Sequence, residues 1–293
     1  MQKMRRLPDW LRMQRPDGEN YIRVKRLVED NRLNTICTSG NCPNIGECWN
    51  AGTATFMILG NICTRSCKFC ATLTGKPMPP DPEEPLRLAR SISKLKLGHC
   101  VITSVDRDDL DDGGSSQWAD TIRAIKDLCP GVTIEALIPD FGGDRESLMK
   151  VLDAGADVVA HNLETVRRLT PLIRSRAEYD LSLSVVEIIS LSGVRSKSGI
   201  MTGLGETDSE VFETMADLRN AGCEIITIGQ YLQPSFDHIE PAGYTAPEKF
   251  AGYRDAATEL GFAHVESGPL VRSSYHAERH VPKSSNKNEI LLK

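Results

Sequence analysis

Six of the nine cysteines fall in two triplets, Cys37, Cys42 and Cys48 with the spacing C-x4-C-x5-C, and Cys63, Cys67 and Cys70 with the spacing C-x3-C-x2-C. Three soft thiolates on one short stretch can grip three corners of an iron–sulfur cubane, which normally takes four cysteines. Each triplet then leaves one iron without a protein thiolate. Such an iron is where a small molecule can bind and chemistry can begin. A structural zinc site is the alternative, but zinc prefers paired C-x2-C hooks, often with histidine. Neither triplet has two such hooks, and no histidine lies within residues 1–98.

The composition excludes other classes. The net charge is -5 and the pI about 5.8, so a basic footprint for nucleic acid is missing. No apolar run approaches the roughly 18 residues that span a bilayer. The start, M-Q-K-M-R-R-L-P-D-W, is basic with no apolar stretch behind it, unlike a secretory signal. Early acids (Asp9, Asp17, Glu19) count against a transit peptide. A reducing, cytoplasmic setting is expected, where clustered cysteines bind metal more often than they form disulfides. Cys100, Cys129 and Cys223 have apolar neighbours and read as core residues.

The elements that must hold the triplets follow from periodicity. Residues 1–52 read as an extension: basic residues surround a short helix from about Tyr21 to Asn31. The first triplet follows, as a loop broken by Gly40, Pro43 and Gly46. Residues 53–265 alternate short β-branched runs with amphipathic segments. The predicted strands are Thr55–Leu59, Cys100–Thr103, Thr133–Leu137, Asp157–His161, Gly199–Thr202 and Glu224–Gly229. The predicted helices are Glu84–Leu97, Gln117–Leu128, Arg145–Ala154, Ser182–Leu191, Asp208–Ala221 and Pro247–Leu260. Gly98, Gly131, Gly155, Gly193, Gly222 and Gly261 stand where glycine caps a helix end in the left-handed conformation. Residues 266–293 form a C-terminal extension with a polar tail, expected to be poorly ordered.

Six strand–helix alternations argue for a parallel α/β sheet. A partial (β/α)6 TIM-type barrel, with the two extensions over its mouth, fits better than an open doubly wound sheet. Chemically capable residues follow nearly every predicted strand, as in barrels, and not only a switch point.

The C-x3-C-x2-C motif, with Phe69 just before its last cysteine, resembles the radical SAM superfamily. That resemblance implies a cluster whose open iron chelates S-adenosyl-L-methionine (SAM), the source of a 5′-deoxyadenosyl radical. The pair of triplets is similar to the lipoyl synthase family. So are P-D-W-L-R near the start, T-S-V-D-R-D-D-L-D-D-G-G at 103–114, H-N-L-E-T-V at 161–166, G-L-G-E-T at 203–207 and V-R-S-S-Y-H-A at 271–277. The resemblance covers nearly the whole chain.

Membership implies insertion of two sulfur atoms at C6 and C8 of an octanoyl chain on a carrier lysine. It implies two 4Fe–4S clusters, the one at the first triplet being consumed as the sulfur source. The implied partners are octanoylated lipoyl carrier domains, those of 2-oxoacid dehydrogenase E2 subunits and the glycine-cleavage H protein. A low-potential electron donor such as ferredoxin or flavodoxin is also implied, and a monomer is expected. Radical chemistry suits this substrate, because nothing beside C6 or C8 acidifies their hydrogens for a side-chain base. The family's labile fourth ligand is a serine of R-S-S-Y, here Ser273 or Ser274; Ser274 is the one expected. Adjacent residues in an extended segment face opposite ways, so at most one binds iron.

Further residues are weaker candidates for SAM contacts. Gly203, Gly205 and Glu206 suit a close backbone approach or a simple turn. Asn162, with His161 and Glu164, suits a contact to SAM or the substrate amide, or a strand-end hydrogen bond. Asp106, Asp108, Asp109, Asp111 and Asp112 around Arg107 read as a charge-paired loop or as SAM contacts. Arg272 stands beside the serines and is expected to guard the donor cluster. The competing functions are another radical SAM enzyme with an auxiliary cluster, and a non-enzymatic metal carrier. The R-S-S-Y segment counts against the first, and a barrel-sized active-site face against the second.

Overall fold

The computed structural model describes residues 7–12, 16–51 and 53–281. The lysine-rich tail and Arg5, Arg6 and Arg15 lie outside the described residues. Seven parallel strands stand side by side in chain order: β1 (Thr55–Ile58), β2 (His99–Ser104), β3 (Thr133–Leu137), β4 (Val158–Ala160), β5 (Arg195–Thr202), β6 (Ile225–Gln230) and β7 (His264–Gly268). A two-residue strand, Asn34–Thr35, pairs antiparallel with β1 at the edge. Six helices connect successive strands: α1 (Glu84–Leu95), α2 (Ser115–Leu128), α3 (Arg145–Leu152), α4 (Tyr179–Leu191), α5 (Asp208–Asn220) and α6 (Pro247–Glu259). This is an α/β, mostly parallel, partial TIM-type barrel with six β/α units and a seventh strand.

The reasons are local. β1 is buried throughout, as a parallel strand covered on both faces must be. In α4 the buried residues Ser182, Val185, Val186 and Ile189 recur at helical spacing, which resolves its ambiguous pattern. Thr207 and Glu210 form a capping box that starts α5. Two apolar cores, one around β1–β4 and one around β5–β6, stiffen the sheet that carries the site.

Three expectations are corrected. The first triplet is not a plain loop. Thr35 caps a short helix, Ile36–Ser39, that contains Cys37, and Cys48 sits in a second helix, Ile45–Asn50. The breakers Gly40 and Pro43 only separate these two turns. Second, Gly155, Gly193, Gly222 and Gly261 take positive φ, but Gly98 and Gly131 do not; Lys96 makes the left-handed turn after α1 instead. Third, β7 escaped prediction. Its sequence, H-V-E-S-G, has a single β-branched residue, and only Ser267 is fully buried.

Candidate functional site

The loop after β1 carries Cys63, Cys67 and Cys70. Ile62–Cys63 pairs with Leu73–Thr74, and Cys70 N–H donates to the Cys67 carbonyl, so the chain curls back on itself. The loop is pinned from outside. Lys68 N–H donates to the Ile173 carbonyl, and His238 Nε2 lies 3.0 Å from the Cys70 carbonyl. All three thiols and Phe69 border one cavity of about 320 Å³. Its walls come from the carboxyl ends of the strands: Thr103–Asp106 at the end of β2, Leu137–Asp140 at the end of β3, and His161, Asn162 and Glu164 after β4. Gly199–Met201 on β5 and Thr227 and Gly229 on β6 complete them. A barrel places its chemistry at this face. Ile36 and Gly40 from the N-terminal extension and Val271, Arg272 and Ser273 from the C-terminal one also line it.

Cys63 Sγ accepts from the backbone N–H groups of Arg65 and Asp106, each at 3.4 Å. Burial pushes the Cys63 thiol up to about 12 and raises Cys67 as well. Behind them, Arg65 is buried and donates to Asp108 and, through two 2.7 Å bonds, to Asp140. Burial alone would raise the Asp140 carboxyl, but the Arg65 hydrogen bonds and charge hold it well below the usual range. Asp106, facing Cys63 at 3.7 Å, is instead raised by burial. Asp109 pairs with buried Arg107, and Asp112 caps the start of α2. The acidic run after β2 is thus a charge-paired loop clamped to the cysteine loop.

Two of the residues that line the cavity carry a buried polar atom without a partner. His161 donates from Nδ1 to the Ile138 carbonyl at 2.9 Å, which leaves Nε2 as a bare acceptor. Burial lowers its pKa to about 4, so the ring is neutral. Asn162 gives its Nδ2 to Glu164 and keeps an unpartnered Oδ1. Buried polar atoms without partners mark a place for a polar ligand. Gly203, Gly205 and Glu206 stand apart and are not among the residues lining this cavity. The Glu206 carboxylate accepts from the N–H groups of Gly203 and Leu204 in its own turn.

The first triplet borders a second cavity of about 190 Å³. It contains Cys37, Cys42 and Cys48, and Ser274, not Ser273, lines it with them. Ser274 Oγ accepts from Thr55 Oγ1 at 2.9 Å. Thr55 and His99, the first residues of β1 and β2, lie on the wall, so this cavity reaches the opposite strand ends from the first. Asn44 Nδ2 donates to the Leu270 carbonyl at 2.7 Å, tying the two extensions together. Burial raises the Cys37 thiol to about 11 and the Cys48 thiol to about 12. Arg272 borders both cavities and is fixed by a 2.7 Å bond to the Gln230 carbonyl.

The donor set fits clusters better than single ions. The thiols border voids instead of converging on a point. Among the described residues, no three His, Cys, Asp or Glu side chains are placed to hold one metal ion. Thiols raised by burial lose their protons to bound metal, so loading releases protons. Sequence reasoning passed over Arg65 and Arg174, and took Asp140 only as part of the strand-end loop Pro139–Asp144. Arg65 lies inside the C-T-R-S-C stretch, a signal that could have flagged it. Arg174, buried and bonded to Ser182 Oγ at 2.9 Å, also lines the first cavity and carries no motif of its own. Cys100, Cys129 and Cys223 are buried core residues, as expected.

Residues 57–218 match the radical SAM superfamily. Lipoyl synthase of Bacteroides fragilis (strain YCH46) is 56% identical over 276 residues, 94% of this chain and 96% of that protein. Mitochondrial lipoyl synthase of Nematostella vectensis is 54% identical over 275 residues, 94% of each chain. Among solved structures, methylornithine synthase matches with a TM-score of 0.54 at 13% identity, over 94% of this chain and 85% of that one. SuiB of Streptococcus suis bound to S-adenosylmethionine matches with a TM-score of 0.53 at 10% identity, over 81% of this chain and 52% of that one. These two show the shared fold. No helix among the described residues is long and apolar enough to cross a membrane. The chain belongs to the lipoyl synthase family, sulfurtransferases of the radical SAM superfamily that work with a 4Fe–4S cluster and SAM on lipoyl carrier proteins.

Proposed function

We propose that this enzyme inserts sulfur at C6 and C8 of an octanoyl chain held on a carrier lysine, with the work divided between the two cavities. Cys63, Cys67 and Cys70 hold the cluster that binds SAM. Cys37, Cys42, Cys48 and Ser274 hold a second 4Fe–4S cluster, which is spent as the sulfur source. When bound, these groups provide a carbon radical that takes hydrogen from an unactivated carbon and a sulfide that replaces it.

The chain's own residues bind and orient. The Arg65 and Asp106 N–H groups stabilise charge on the Cys63 sulfur and so tune the cluster it holds. Phe69 and Asn162 contact SAM from the cavity wall, and His161 Nε2 accepts one of its donors. Gly203, Gly205 and Glu206 act behind this wall as a turn fastened by Gln230 Nε2, which donates to the Thr202 carbonyl, and by Ala242 N–H, which donates to the Gly203 carbonyl. Arg272, between the cavities, directs the aliphatic chain from one to the other and keeps its charge off the reacting carbons by bonding to Gln230. Apolar walls at Leu137, Ile138 and Val271 exclude water from the path.

One observation carries this reading: the two triplets line two distinct cavities that share Arg272, and a serine from the far end of the chain borders the one beside the first triplet. The substrates are the octanoylated lipoyl domains of E2 subunits or of the glycine-cleavage H protein. A ferredoxin or flavodoxin feeds electrons, and the enzyme acts as a cytoplasmic monomer. The test is anaerobic incubation with an octanoylated carrier domain, SAM and a low-potential reductant. Each C–H becomes C–SH under these reducing conditions, so the carrier is expected to gain the mass of two sulfurs, and to lose two hydrogens only on later oxidation of the dithiol to the cyclic disulfide. An unchanged carrier mass, alongside SAM cleavage, contradicts the proposal.

A further inference from the structure

In the barrel floor, level with the wall of the second cavity, three ionisable side chains are shut in and line neither cavity. Glu135 on β3, Lys197 on β5 and His280 in the C-terminal extension are 1%, 0% and 1% exposed. Burying such groups is costly unless every proton finds an acceptor. An ammonium has three N–H bonds. Lys197 Nζ donates one to each Glu135 oxygen, at 2.7 and 2.8 Å. Its third acceptor is His280 Nδ1 at 3.3 Å. The His280 proton therefore sits on Nε2, which is buried without a hydrogen-bond partner, the Glu266 Oε1 of β7 lying 3.9 Å away. Arg195, at the start of β5, donates to the His280 carbonyl. The barrel thus offers a charged socket that only the C-terminal segment completes.

The segment that fills the socket also carries Ser274. At its other end it crosses β6 at Gly229, where a Cβ would lie 2.0 Å from the Val271 carbonyl. Between that crossing and His280 the chain is held by single hydrogen bonds at Arg272, Ser274 and Tyr275 and by the buried methyl of Ala277. The socket is the one charged, fully buried attachment among them.

We propose that His280 is a positioning residue for the donor site: by completing the Lys197–Glu135 pair it locks the C-terminal segment and sets the Ser274 hydroxyl in the second cavity. This rests on the reading of Ser274 as a ligand. It goes beyond that reading by assigning the placement of Ser274 to a charge cluster in the barrel floor.

The test compares the full-length enzyme with His280→Ala, His280→Asn and His280→Gln. An asparagine oxygen falls near the imidazole Nδ1 position and can accept from Lys197; a glutamine amide reaches the Nε2 position instead and leaves the third N–H unpaired. In the metal-free chain, amide exchange over residues 271–279 is expected to rise at least about tenfold in the alanine and glutamine variants. It returns toward wild type in the asparagine variant, while β4 and β5 keep their protection. After anaerobic reconstitution, the electron paramagnetic resonance signature of the first-triplet cluster should shift in the alanine and glutamine variants as it does in Ser274→Ala. Unchanged exchange in His280→Ala, equal behaviour of the asparagine and glutamine variants, or a wild-type signature in His280→Ala where Ser274→Ala shifts it, overturns the proposal. If the underlying reading fails, Ser274→Ala keeps the wild-type signature while His280→Ala still frees the segment. The anchor then stands and the ligand assignment falls.

Discussion

The cavity at Cys63, Cys67 and Cys70 is walled by the ends of successive parallel strands and backed by a buried arginine with its carboxylates. The cavity at Cys37, Cys42 and Cys48 is closed by two chain segments whose joining hydrogen bond spans 226 residues of sequence. The first is part of the scaffold. The second is assembled from chain ends laid against it, with its serine held by one hydroxyl contact. On the proposed division of labour, the site that persists through turnover is the one built into the sheet, and the site that is spent is the one built from chain ends. Segments with few charged or apolar attachments open at lower free energy than a core sheet.

The sharpest break of this comparison uses the cysteines themselves. Cys67→Ala should abolish both SAM cleavage and lipoyl formation. Cys37→Ala should keep SAM cleavage and lose sulfur insertion. Iron content should fall from about eight to about four per chain in each variant. Equal losses of both activities in the two variants would erase the division between the cavities.

Arg65→Met tests how far the first cavity is scaffold. It leaves Asp140, nearly fully buried, without its partner. Breaking such a pair costs about 3–5 kcal/mol. Denaturant unfolding of the metal-free chain should show a loss of that size. A loss under about 1 kcal/mol would mean that the cluster of charges is not structural.

Acid should weaken the scaffold through His161. Its folded pKa of about 4 lies below the unfolded value of about 6.5. The unfolded chain therefore binds the proton first, and stability falls as pH drops from about 6.5 toward 4, by up to about 1.4 kcal/mol per pH unit. Below that, Asp140 adds to the loss, since its carboxyl is held below its unfolded value and its contribution disappears as it protonates. Urea midpoints at pH 7, 5.5 and 4 measure the slope, and His161→Gln should flatten it. An unflattened slope assigns the acid loss elsewhere.

Gly229→Ala probes the joint between the regions. The added methyl meets the Val271 carbonyl, so the C-terminal segment must move by more than a rotamer change. Overpacking of this kind costs about 1–3 kcal/mol. Sulfur insertion should suffer more than SAM cleavage, because Ser274 lies three residues along that segment. Equal loss of both would place the crossing in the scaffold.

Much of this was legible in the chain. The strand–helix alternation follows from β-branched runs and helical periodicity, and the second triplet falls directly after the first strand as its position predicts. What escaped was tertiary. Arg65 and Asp140 are 75 residues apart, and no local pattern announces that they meet. Lys197 lies ahead of the predicted strand Gly199–Thr202, yet β5 begins at Arg195 and Glu135 and His280 let the lysine be buried in it. Gly98 looked like a helix cap, but α1 ends earlier, and Lys96 accepts the left-handed turn at its own steric cost. The first triplet's short helices depend on the Thr35 cap and on packing of Trp49 against Tyr21, with ring centroids 5.3 Å apart.

The division of labour is tested most directly by following the sulfur. The enzyme is reconstituted with heavy-isotope sulfide, freed of excess, and given one turnover on an octanoylated carrier with unlabelled sulfide in solution. The account predicts that both inserted sulfurs are heavy, and that Cys37→Ala inserts none. Light sulfur in the product, or heavy product from Cys37→Ala, would contradict it.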